Sequence, residues 1–212
     1  MNVNNNAATV TFLALMSCFA AACNAGEPRV FLQKAPFVHP KIIEDLSAWV
    51  SDSGEQVVAI NLAESENTNR YFGDIQINGT VRPFVFYENK DECKESGCPM
   101  GAPSFGYRAI GRTPAGVYVL FTEWSGGGTG RFRRILLVSL EKDRALTNYS
   151  SGTKVLRLDR ERWVIRKLGE IVLGDRYEGE IVLRGNRLEI GKDEYAHSAG
   201  LFAKAVSIEL KP

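Results

Sequence analysis

The sequence predicts a mainly β protein: an antiparallel β-sandwich or partly open β-barrel of about 8–10 strands with one amphipathic helix packed on it. Runs rich in Val, Ile, Leu, Phe and Tyr recur about every 8–12 residues between Gly, Asn, Asp and Pro clusters, the spacing of an all-β meander. Two of these runs, Val117 to Trp124 and Phe132 to Leu140, flank the glycine-rich Ser125 to Gly130 and make the clearest hairpin. Both faces of its first arm are apolar, with Val117, Val119 and Phe121 on one side and Tyr118, Leu120 and Trp124 on the other, as a central strand covered on two sides requires. Only Pro40 to Val50 has helical periodicity. Ile42, Leu46, Trp49 and Val50 fall on one stripe, Pro40 suits the first turn, and Ser53-Gly54 stops the helix.

Along the chain, Gln56 to Leu62 reads as a strand, followed by a polar loop from Glu64 to Arg70. Tyr71 to Ile77 and Val81 to Tyr87 flank Asn78-Gly79, a pair that tolerates positive φ and signals a tight hairpin. Glu88 to Ser104 is the longest stretch without strand character. Phe105 to Arg112 is a short strand, and Glu141 to Thr153 is a charged turn region. Lys154 to Leu158 and Trp163 to Leu168 flank Asp159–Arg162 as a further hairpin. The pentapeptide Gly-Glu-Ile-Val-Leu occurs at 169–173 and again at 179–183, which suggests successive arms of a meander broken at Gly174-Asp175 and Gly185-Asn186. Leu188 to Ile190 continues it, Asp193 to Gly200 is a loop, and Ala203 to Leu210 is the closing strand.

The chain has 212 residues with 26 basic and 25 acidic side chains, a balance that supplies no general attraction to nucleic acid. The first 25 residues contain no Asp, Glu, Lys or Arg, and Ala7 to Ala22 is apolar and ends in small residues, the shape of a signal peptide. Residues 26–212 then form a single β-rich domain. Ala20-Ala21-Ala22-Cys23 resembles the bacterial lipoprotein cleavage box, with Ala20 where that box prefers Leu. The resemblance implies lipidation of Cys23 and a membrane anchor through it alone; cutting after Ala25 instead would release a soluble protein. Either route exports the chain, to the periplasm or to a membrane surface as a lipoprotein.

Cys93 and Cys98 remain in the folded part, and an even pair in an oxidising compartment reads as a disulfide closing a short loop. Four intervening residues are not the redox Cys-x-x-Cys spacing. A stapled loop on a rigid sheet is where binding residues concentrate, and a long connection tied down against disorder is the competing reading. Glu92, Lys94 and Glu95 are the contact candidates there, with Trp124 and Arg131 at the central hairpin. The segment Cys93-Lys-Glu-Ser-Gly-Cys98 resembles the Cys-x4-Cys protruding loop of one family of periplasmic lysozyme inhibitors, over these six residues and without that family's central His.

No nucleophile elbow, phosphate-binding loop or zincin motif occurs, and no metal or cofactor is expected. His39 and His197 have no ligand spacing with each other or with the cysteines. Arg131, Arg133 and Arg134 beside the glycine run could hold an anion, but a flexible tip with solvated arginines is the favoured reading. Glu123, beside Trp124, is the one carboxylate of interest for hydrolysis. These features suggest an exported, non-catalytic bacterial envelope protein that binds a protein partner such as an envelope enzyme or toxin, in the manner of an inhibitor or immunity protein. The alternatives are a cell-wall or polysaccharide hydrolase and a structural lipoprotein.

Overall fold

The computed structural model describes residues 38–48, 54, 56–62, 75–79, 83–90, 93–94, 97–98, 100–146, 158–195 and 202–211. The leader with Cys23, and Trp49, Glu92, Glu95 and His197, lie outside them. In chain order the elements are α1 (Pro40–Ala48), β1 (Ala59–Asn61), β2 (Gln76–Asn78), β3 (Phe84–Glu88), β4 (Ser104–Arg112), β5 (Tyr118–Ser125), β6 (Phe132–Leu146), β7 (Leu158–Asp175), β8 (Ile181–Arg184), β9 (Arg187–Ile190) and β10 (Val206–Glu209). Seven strands form one antiparallel sheet in the order β1-β7-β6-β5-β4-β3-β2, and three form a second in the order β10-β9-β8. The large sheet is open, with β1 and β2 as its edges.

Strand alternation explains the layering. Tyr118 and Leu120 of β5 point to one face and pack with Ile42, Ile43 and Leu46 of α1. Val119 and Phe121 point to the other and pack with Ile181, Leu188 and Ile190 of the small sheet. The large sheet is therefore a middle layer between α1 and the three-stranded sheet, with a core on each side. Each fully buried Leu or Ile contributes about 1.5–3 kcal/mol to this arrangement.

The helix is fastened at both ends. Nδ1 of His39 accepts the Lys41 N–H at 3.1 Å, a capping role that Ser or Asp usually fills. The Tyr107 hydroxyl donates to the Val38 carbonyl at 2.7 Å, and burial raises that hydroxyl well above the usual phenol range. At the far end Arg134 Nη1 lies 3.4 Å from the Ser47 carbonyl, a cation at the negative end of the helix dipole.

Three expectations are corrected. Asp159–Arg162 is not a turn: β6 and β7 run 15 and 18 residues and stay paired out to Leu146 opposite Leu158. The charges that imitate a turn are cross-strand ion pairs, Arg162 to Asp143 at 3.1 Å, Arg166 to Glu141 at 3.2 Å and Lys142 to Glu161 at 3.7 Å. Asn78-Gly79 does not make a two-residue turn either. Asn78 is paired with Phe84, and β3 begins only after Pro83, which has no N–H for a ladder. Finally, the repeated pentapeptides are not adjacent arms. The first ends β7 in the large sheet and the second leads into β8 in the small one, yet Ile171, Leu173, Ile181 and Leu183 all converge on the core between the sheets.

A candidate recognition site at the tip of the central hairpin

The site is built where β5 turns into β6. Ser125 Oγ accepts the Gly127 N–H at 3.4 Å, and Gly127 adopts φ +84°, a left-handed conformation that favours glycine. A Cβ on Gly127 would lie 2.4 Å from the Gly101 carbonyl oxygen, so the hairpin tip and the end of the β3–β4 connection touch backbone to backbone. That connection is the stapled loop. Its ends are joined by Asn89 N–H to the Pro103 carbonyl at 2.7 Å, and its middle by the Cys93–Cys98 disulfide, with Cα atoms 5.0 Å apart. Two regions that are separate in sequence thus form one end of the sheet.

The tip is held from β7 as well. The Arg131 N–H donates to Asp175 Oδ1 at 2.7 Å, and Arg176 donates from Nε and Nη2 to the Thr129 carbonyl at 3.1 and 2.7 Å. These bonds tie the glycine run to the end of β7. The arginine triad is corrected, because alternation sends Arg133 and Arg134 to opposite faces: Arg133 Nε binds Glu123 Oε2 at 2.7 Å, whereas Arg134 reaches the helix and lies 3.6 Å from Glu170.

On the helix side, Trp124 and Phe132 are directly opposed across the hairpin, with ring centroids 5.6 Å apart. They are 42% and 46% exposed, large values for two aromatic rings in the two innermost strands of the site. Between them and the helix lies a cavity of about 360 Å3 lined by Glu44, Ser47, Thr122, Trp124, Phe132 and Arg134. A second cavity of about 310 Å3 shares Glu44 and Trp124 and extends to Asn89, Pro103 and Gly126, so the groove runs from the helix towards the stapled loop. Glu44 is fixed in it by Lys41 at 2.9 Å and by the Tyr87 hydroxyl. Burial works against the Lys41 ammonium, but Glu44 and Asp45 outweigh it and hold Lys41 above the usual lysine range.

Of the contact candidates, Trp124 and Arg131 are both at the tip, and Lys94 is exposed on the stapled loop. Glu92 and Glu95 fall outside the described residues. Glu123 faces away from Trp124, since sequence neighbours in a strand occupy opposite faces. Its Oε1 is 3.7 Å from Arg131 and its Oε2 2.7 Å from Arg133. The thiols that could have joined a metal site are consumed by the disulfide, and His39 is engaged at the helix start with its ring 5.5 Å from Tyr87. Phe132, Glu44 and Met100, the last 66% exposed beside the tip, were missed in the sequence. Only Phe132 carried a signal, as the residue a symmetrical hairpin puts opposite Trp124. Among the described residues no helix is long and apolar enough to cross a membrane. No protein-family model, no curated protein and no solved structure matches this chain.

Proposed function

We propose that the chain is an exported bacterial envelope protein that binds a protein partner without catalysis, in the manner of an inhibitor or immunity protein. The partner, an envelope enzyme or a toxin, docks on the end formed by the stapled loop and the hairpin tip. The observation that carries this reading is the backbone contact of Gly127 with Gly101, which fixes the hairpin tip, with the exposed pair Trp124 and Phe132 at its base, against the stapled loop as one preorganised end. Preorganisation lowers the ordering entropy of association, and an exposed aromatic pair is the usual anchor of such contacts. The hydrolase alternative is disfavoured because each oxygen of Glu123 already faces a guanidinium, an arrangement suited to a structural carboxylate. Attachment to a membrane, in this reading, is through lipid on Cys23.

Photo-crosslinking in the native envelope tests it. A benzophenone side chain placed at Lys94 or at Gly128 is expected to trap the same single protein. Trp124→Ala with Phe132→Ala is expected to weaken that adduct about 30-fold, the loss of one aromatic hot spot of about 2 kcal/mol. No adduct from either position, or adducts untouched by the double substitution, would overturn the reading.

A further inference from the structure

The face of the large sheet turned away from α1 has a second concavity at the same end, and its lining is different in kind. Register puts Phe86, Gly106 and Glu123 in one row across β3, β4 and β5, and Glu88, Ser104 and Ser125 in the next. Above these rows is a cleft of about 420 Å3, within the ~300–1,000 Å3 of small-ligand sites. Gly101 of the stapled loop, Gly127 and Arg131 of the tip and Asn78 of β2 form its rim.

One part of the lining is apolar and flat. The rings of Phe84 and Phe86 are 30° from parallel with centroids 6.1 Å apart, and they make a continuous strip. Gly106 permits this, because a Cβ there would lie 2.4 Å from the Phe84 ring and 2.6 Å from Phe86 Cβ. Lacking a side chain, β4 lets the Phe84 ring lie across it.

The other part is polar and mixed. Glu88 and Glu123 offer acceptors, Arg131 offers donors, and Ser104 and Asn78 offer both. Arg133 and Arg131 fix the orientation of Glu123 and leave lone pairs over, since a carboxylate has about four acceptor sites. Glu123 is paired with two guanidiniums and Glu88 lies 3.8 Å from Lys90, so the cleft presents paired charges and polar edges to a ligand instead of an uncompensated charge of one sign. An uncharged molecule fits, with groups that both donate and accept around its edge and an apolar face for the phenyl strip. A pyranose has this chemistry: hydroxyls around the rim and C–H bonds on one side of the ring.

We infer that this cleft binds a neutral hexopyranose, alone or as one unit of a short glycan. The cleft lies on the opposite face from Trp124 and Phe132 and shares with the partner-binding end only its rim, Gly101, Gly127 and Arg131, so the Trp124→Ala control separates the two readings.

The test is an NMR titration of the full chain with the methyl glycosides of glucose, mannose, galactose and N-acetylglucosamine and their 1,4-linked dimers, with inorganic phosphate and arginine ethyl ester as charged probes. At least one saccharide is expected to shift the amides of Ser104, Gly106, Glu123 and Gly127 and leave those of α1 in place. Asn78→Ala and Glu88→Gln, at exposed and half-buried positions that carry no core packing, are each expected to weaken it about tenfold, one hydrogen-bonded contact. Trp124→Ala is expected to leave it unchanged. The inference fails if no saccharide moves these amides at about 50 mM, well above the millimolar range of weak specific binding. It also fails if both cleft variants bind as the wild type does, or if a charged probe moves the amides where the sugars do not.

Discussion

Replacing Gly127 with Ala should separate the two halves of the recognition end. Gly127 has φ +84°, where an L side chain costs about 1–2 kcal/mol. Its new Cβ would also meet the Gly101 carbonyl oxygen at 2.4 Å, and that oxygen belongs to backbone, so either the stapled loop or the tip must move. Forced overpacking of this kind adds about 1–3 kcal/mol. The expected loss is about 2–5 kcal/mol, a large share of the roughly 5–15 kcal/mol that stabilises a typical domain. Gly128→Ala is the matched control, because its Cβ meets nothing within 4 Å, and a change within about 0.5 kcal/mol is expected. Urea unfolding followed by tryptophan fluorescence measures both. If Gly127→Ala unfolds at the wild-type midpoint, the contact between loop and tip is not the rigid joint argued above.

Other perturbations follow from the same geometry. Changing Cys93 and Cys98 together to Ser should remove about 2 kcal/mol, the loop-closure entropy of so small a ring, and leave the far-UV circular dichroism of the sheet intact. Tyr107→Phe leaves the Val38 carbonyl without its donor and should lower stability by about 1–1.5 kcal/mol in urea titrations, with the helix start loosened first. Burial, and after it the Asp193 carboxylate, pushes the Tyr177 hydroxyl up to about 12, whereas an unfolded tyrosine ionises near 10. Between those values the unfolded chain has released a proton that the folded chain retains, so stability should fall as pH rises through that window. Unfolding free energies at about pH 9 and 11.5 should therefore fall less steeply in Tyr177→Phe than in the wild type; equal slopes would contradict the assignment. On the acid side, the Ser139 hydroxyl and Arg166 hold Glu141 below the usual carboxylate range, and Arg162 does the same for Asp143. Their contribution is complete at neutral pH and fades as pH drops below about 4, so Arg166→Ala with Arg162→Ala should flatten the acid limb of the stability curve.

Much of the fold was legible because burial leaves a period in the sequence. β5 could be placed at the centre from Tyr118, Val119, Leu120 and Phe121 alone, since only a strand covered on both faces tolerates four apolar residues in succession. The stripe of Ile42 and Leu46 marked α1 for the same reason. What misled was charge. Glu141, Asp143, Glu161 and Arg162 read as turn residues, yet they stand on the exposed ribbon of β6 and β7, where cross-strand ion pairs use the same amino acids that loops do. The site was half legible. The staple and Trp124 could be picked out, but the joining of the two regions depends on Gly127 lying against Gly101, a tertiary approach that leaves no periodic trace. The separation of Glu123 from Trp124 did follow from strand parity, and it was the assumption of working neighbours that failed.

Because β5 supplies side chains to the layers above and below it, neither layer can peel away and expose its backbone to water. Loosening the helix uncovers only one set of its residues, and lifting the small sheet uncovers only the other. The amide protons of Val119, Leu120 and Phe121 should then trade for solvent deuterium only when the whole chain opens, later than those of β2 or β10, whose residues are largely exposed at the margins of their sheets.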